Sequence, residues 1–116
     1  VQPMCSKNEL QTVTQSVIRA ALELLADKIY KIILYGSYAR GDFDLESDVD
    51  IMIILDCSLE EIRAYRKEVS RIASRISLAN DIEVSLLLID RRSFEERLDI
   101  LPFYQNVLRD GVVLYV

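Results

Sequence analysis

Apolar residues near the start of the chain recur three and four positions apart: Leu10, Val13, Val17, Ala20, Ala21, Leu24 and Leu25. That period places them on one face of a helix. Just ahead, Ser6 and Glu9 have the spacing of a capping box, in which each side chain satisfies a free backbone donor of the other residue. The spacing predicts an amphipathic helix over 7–27. Residues 29–35, IYKIILY, read instead as a buried strand, and residues 47–55 as a second one, polar at its start and apolar after. A second capping box, Ser58 to Glu61, precedes Ile62, Val69, Ile72, Ala73 and Ile76, and predicts a helix running to about Ser77. Residues 81–89 form a third strand, alternating at first and then wholly apolar. Ser93 and Glu96 give a third capping box, for a short helix; Pro102 can open a further helical turn. Asp110-Gly111 marks a turn before a last extended segment, 112–116.

The predicted order is helix, strand, strand, helix, strand, helix, strand. It suits an α/β (α+β) layer, with helices packed on a small mixed sheet. At 116 residues, with no repeat or Pro/Gly-rich linker, the chain reads as a single domain over 1–116.

Composition narrows the chemistry. Hydrophobic residues at 51% and charged residues at 28% are a globular balance and exclude a disordered chain. The longest apolar runs, 51–55 and 84–89, are far short of the ~20 residues of a membrane-spanning helix. The start, VQPMCSKNEL, lacks the basic beginning and long apolar core of a secretory signal, so the cytoplasm is the expected location. A net charge of −5 argues against direct nucleic-acid binding, which is driven by Lys and Arg neutralising phosphates. Cys5 and Cys57 form no metal spacing, and Cys57, beside an apolar run, reads as a free thiol. The chain has no histidine, which removes Ser-His-Asp and Cys-His triads and His-ligated zinc. Carboxylates, hydroxyls, Lys, Arg and oxygen-bound metals remain.

The stretch 34–55, LYGSYARGDFDLESDVDIMIIL, concentrates such groups. Alternate strand residues share a face, so Asp48 and Asp50 project together while Val49 and Ile51 point to a core. Two neighbouring carboxylates repel unless a cation lies between them or one holds a proton. Oxygen-only ligands favour Mg²⁺ or Mn²⁺, and Mg²⁺ is usually shared between one or two carboxylates and substrate phosphates. The plainer reading is a pair of solvated acids opening a strand, although Asp is a poor strand former. Gly36 and Ser37 end the previous strand. The glycine lets backbone pass close to an anion, and the N–H groups and hydroxyl at such a turn can bind phosphate. A simple capped turn is the alternative, and the ending of a Walker A loop is missing.

Gly36-Ser37, ten residues, then Asp48-Val49-Asp50 is the pattern G-S-x10-D-x-D, flanked by the strand before it and by Ala39-Arg40-Gly41. The stretch resembles the nucleotidyltransferase superfamily that includes DNA polymerase beta. More closely, it is similar to the minimal nucleotidyltransferase domains, which are little more than the catalytic palm. The resemblance implies ATP as nucleotide donor, with its phosphates against Gly36 and Ser37. Asp48 and Asp50 would hold Mg²⁺ or Mn²⁺, and a third carboxylate would come from a neighbouring strand. Glu83 is the first choice for that third group, catalytic and metal-binding, and Asp81 the alternative. Family members often carry Asp there. Arg40 either neutralises phosphate or pairs with Asp42, Asp44 or Asp48. Ser47 caps the loop or positions Asp48. Both join Gly36 and Ser37 in the expected nucleotide-binding set. Tyr35 and Tyr38 either stack on a base or pack.

Small domains of this kind are similar to antitoxins encoded beside HEPN-type RNase toxins. That implies transfer of AMP to a tyrosine hydroxyl of the toxin. Two other readings stay open: a non-catalytic module that masks its partner, and a small-molecule or RNA nucleotidyltransferase that needs another subunit. The segment 98–107, LDILPFYQNV, is either core folded over the sheet or a partner or homo-oligomer contact.

Overall fold

The structure, a computed structural model, describes residues 7–41 and 48–116. The elements in order are α1 (Lys7–Leu25), a 3₁₀ turn (Ala26–Lys28), β1 (Ile29–Tyr35), α2 (Ser37–Arg40), β2 (Val49–Leu55), α3 (Leu59–Asn80), β3 (Val84–Asp90), α4 (Arg91–Leu98), α5 (Pro102–Asp110) and β4 (Val112–Tyr115). The expected strands and main helices are all present. The Ser6 end of the first predicted capping box lies outside the described residues.

The four strands form one mixed sheet in the order β3-β2-β1-β4. β1 pairs antiparallel with both β2 and β4, and β2 pairs parallel with β3. The 22-residue α3 makes the crossover that a parallel pair requires. Central β2 explains the apolar run IMIIL: both faces of the strand are covered. Val49, Ile51, Ile53 and Leu55 turn to one face, where they meet Ile32 and Leu34 of β1, Val84 and Leu88 of β3, and the buried stripes of α1 and α3. Met52 and Ile54 turn to the other, where they meet Ile33, Ile89, Phe94 of α4, and Tyr104 and Val107 of α5. The second cluster is smaller. It leaves the start of β2 uncovered on that face, and Asp48 and Asp50 stand there.

The Ser58–Glu61 capping box forms as the spacing predicts, with the Glu61 N–H donating to Ser58 Oγ at 3.2 Å and the Ser58 N–H to Glu61 Oε1 at 3.3 Å. Lys28 clasps the same Glu61 at 2.8 Å and ties the end of α1 to the start of α3. Three local expectations change. First, α3 runs past Ser77 to Asn80, because Asn80 donates its side-chain amide to the Ile76 carbonyl at 2.9 Å and Asp81 takes a left-handed cap conformation at φ +52°. Ser77 then accepts the Val84 N–H at 2.9 Å and links helix to strand. Second, α4 is capped by Asp90 rather than by Ser93: the buried Asp90 carboxylate accepts the Ser93 N–H at 2.9 Å, so the helix starts directly off β3. Third, Pro102 opens a nine-residue helix rather than a single turn.

Gly111 joins α5 to β4 where no side chain fits. A Cβ there would overlap the Val107 carbonyl and stand 2.6 Å from Ile33 Cγ2. Gly111→Ala is expected to cost about 1–3 kcal/mol through overpacking. The check is urea unfolding, read as a lower midpoint at an unchanged slope.

Candidate active site

The site is built where β1 ends and β2 begins. Tyr35 is the last paired residue of β1, and its partner across the antiparallel ladder is Asp50. The next residue, Gly36, has φ +77° and ψ −158°, backbone that an L side chain adopts only under strain. A Cβ at this position would fall 2.5 Å from Oδ2 of Asp50. The bare glycine therefore answers two demands at once, a turn of unusual hand and a carboxylate packed onto it. The chain then makes one turn of helix, with the Arg40 N–H donating to the Gly36 carbonyl at 3.1 Å and the Gly41 N–H to the Ser37 carbonyl at 2.9 Å. Gly41, at φ +81°, releases the chain. Tyr38 is buried in the main core and anchors this turn, so it packs rather than offering a stacking face. Ser37 is half-buried at the turn's first position.

On the other side, Asp48 is exposed just before β2, Val49 is fully buried, and Asp50 is half-buried. The Val49 N–H donates to the Glu83 carbonyl at 2.9 Å. Asp50 lies in register with Ser85, so one step back along the same parallel ladder Asp48 stands abreast of Glu83. Asp81 is instead at the C-cap of α3, outside β3, which leaves Glu83 as the acid beside the pair. Glu83 is exposed and precedes the first residue of β3. Its backbone, not its side chain, is tied to β2. Among the described residues no three Asp, Glu or Cys side chains stand close enough to hold an ion together, so the expected trio is not a ready-made cage. Ser47, Asp42 and Asp44 lie outside the described residues.

Electrostatics single out Asp50. Burial pushes its carboxyl above the usual carboxylate range, the charge of Asp48 pushes the same way, and Arg40 draws it back. Arg40 is thus coupled to the pair across the turn. An acid strained as an anion, beside a second acid on the same strand face, suits an oxygen-binding divalent cation, which would relieve both. By donor chemistry, Asp48 and Asp50 fit Mg²⁺ or Mn²⁺.

Of the two readings open for Tyr35, stacking on a base or packing, the structure bears out packing, and it adds a neighbour that sequence did not give, Asp50. Burial first, then the charge of Asp50, then Tyr104, push the Tyr35 hydroxyl up to about 12. Its ring meets Phe103 edge-on, with centroids 5.6 Å apart. Tyr35 packs, and by packing it walls off one side of Asp50. An open groove of about 770 Å³ between α3 and β3 reaches Glu83 and Ser85 but touches none of Gly36, Ser37, Asp48 or Asp50.

Asp50→Asn is expected to stabilise the isolated protein at neutral pH. The folded pKa is raised, so the penalty on the wild type grows as pH climbs from the ordinary carboxylate value through the raised one and is complete above it. The melting temperature of Asp50→Asn should exceed wild type by a few degrees at pH 7, and the two should converge in acid. Gly36→Ala should do the reverse. We expect a loss of about 1–3 kcal/mol from the strained backbone together with displacement of the Asp50 carboxylate, measured by denaturant unfolding.

Residues 16–113 match the family model described as a nucleotidyltransferase domain. Two Methanocaldococcus jannaschii proteins, each named "putative protein adenylyltransferase", are similar to the chain. One is 45% identical over 65 residues, 56% of this chain and 64% of that protein. The other is 34% identical over 88 residues, 76% of this chain and 80% of that protein. The match with the first thus spans less than two thirds of its length. A chain in a crystal structure of a toxin–antitoxin with AMP-PNP shares the fold at a TM-score of 0.57 and 26% identity, over 88% of this chain and 72% of that one. With the family model spanning 16–113, from within α1 into β4, this chain belongs to the nucleotidyltransferase domain family.

Proposed function

We propose that this chain transfers AMP from ATP to a tyrosine hydroxyl of a partner protein, a toxin of the HEPN type, and thereby acts as an antitoxin. The observation that carries the transfer chemistry is the Asp50 carboxylate seated against the bare Gly36 backbone. It joins the turn suited to phosphate with the strand suited to metal. The names of the two archaeal relatives support a protein acceptor, and the toxin–antitoxin neighbour with AMP-PNP supports both an adenine nucleotide and a toxin partner.

In this reading the ATP phosphates lie against Gly36 and Ser37, with Arg40 and Ser47 completing the nucleotide contacts. Asp48 and Asp50 hold Mg²⁺, which supplies neutralisation of the phosphate charge when bound. The acceptor oxygen forms its bond to the α-phosphorus, the α–β phosphoanhydride bond breaks, and pyrophosphate departs. The hydroxyl proton passes to Glu83, the acid abreast of Asp48. Tyr35 keeps its own proton at all ordinary pH values and shields Asp50 from water on one side. Rate comes from positioning and charge neutralisation rather than from a covalent enzyme intermediate. The cytoplasm supplies the ATP. Among the described residues no helix is long and apolar enough to cross a membrane.

The test is transfer of label from α-³²P-ATP to a co-expressed HEPN-type partner in the presence of Mg²⁺. Asp48→Asn/Asp50→Asn should lower it by at least ~100-fold, the scale expected when charge stabilisation of the transition state is removed. Glu83→Gln should lower it less. Undiminished transfer in the double variant would overturn the site. If the double variant also still protects against the toxin, masking and not transfer is the mode of action.

A further inference from the structure

The outer face of α3 carries a feature that the transfer site does not use. Arg63, Lys67, Arg71 and Arg75 follow one another at intervals of four, and Arg66 stands beside them. All five are exposed. Residues four apart are neighbours on a helix surface, and like charges so placed destabilise it. The ladder rises about 18 Å from end to end at 1.5 Å per residue. None of the five makes an ion pair among the described residues, although Glu68 shares the helix and Glu23 of α1 lies with Arg71 and Arg75 along the groove between the two helices. Four of the protein's other basic groups, Lys28, Arg91, Arg92 and Arg109, are each matched to a carboxylate.

The ladder is set on an acidic body. The chain's formal charge is −5 with these five cations and −10 without them. A uniform polyanion such as RNA would be drawn to the stripe and repelled by the remainder. A folded protein can present acid to the stripe and something else around it, so charge segregation of this kind favours an oriented protein partner. The far end of the ladder also points to the chemistry. Arg75 is two residues from Ser77, which holds the Val84 N–H, and the adjacent residue is Glu83. Arg66 lines the open groove that ends at Glu83 and Ser85.

We propose that the outer face of α3 is the docking surface for an acidic face of the protein that accepts the nucleotide. This rests on the protein-acceptor reading above and adds the surface and its charge to it.

The test compares the full chain with Arg63→Gln/Lys67→Gln/Arg71→Gln/Arg75→Gln, whose helix content is first matched by circular dichroism. The probes are poly-L-glutamate and poly(U) RNA of equal charge, titrated at low and high salt. AMP-PNP binding and sedimentation are measured in parallel. The expected result is poly-L-glutamate binding that weakens at least tenfold in the quadruple variant and with added salt, with AMP-PNP binding unchanged. Asp48→Asn/Asp50→Asn should bind poly-L-glutamate as wild type does. Three results would overturn the proposal: no ladder-dependent binding of poly-L-glutamate, tighter binding of poly(U), or a self-association lost in the variant, which would assign the face to a second copy. Loss of transfer activity with ladder-dependent binding intact would instead count against the transfer reading alone.

Discussion

The contact between the Asp50 carboxylate and the backbone of Gly36 organises this protein. It brings together residues fourteen positions apart, at the end of one strand and the start of the next. Two constraints meet in it. Gly36 needs a backbone angle that a side chain resists, and Asp50 needs the space that a side chain would fill. The antiparallel register of Tyr35 on Asp50 holds both in place, and behind it lies the core of β1 and β2.

Unequal cover on the two faces of the sheet makes the site available. The α1–α3 face is closed along the full length of β2, whereas α4 and α5 close only the part of the opposite face beyond Asp50. Carboxylates can stand at the open end because water still reaches them. Asp50 is nonetheless buried enough, against Tyr35 and Asp48, to resent its charge. A group held in an unfavourable ionisation state is common at functional sites, and here the relief on offer is a cation. Stability is given up at the candidate site.

Under the proposed function, the same division would let one small domain combine transfer with recognition. The candidate site lies on the open face, at the turn between β1 and β2. The helix that crosses over on the closed face turns to solvent a run of cations that make no ion pair among the described residues. The groove between α3 and β3 connects that helix with Glu83. On the proposed docking, an acceptor held along α3 would approach the acids from the β3 edge, with nucleotide on the Gly36 side.

Periodicity and spacing alone pointed to the order of elements, a small mixed sheet, the capping box at Ser58, the shared face of Asp48 and Asp50, and a glycine turn at the end of β1. Apart from the sheet, each of these is set by neighbours a few residues away or by the two-residue repeat of a strand. Tertiary structure decided the rest. It moved Asp81 off the strand to the cap of α3, because Ser77 and Asn80 carry the helix further than the apolar stripe does. It gave the cap of α4 to Asp90, a residue that reads in sequence as the end of a strand. It put Tyr35 beside Asp50 and Phe103 beside Tyr35, contacts that exist only once strand register and the seating of α5 are settled. Of the 98–107 segment, it buried Tyr104 and Val107 and left Ile100, Leu101 and Phe103 exposed. Local rules fix which way a side chain points along its own element. Which residues meet across elements depends on register and packing, summed over the entire core.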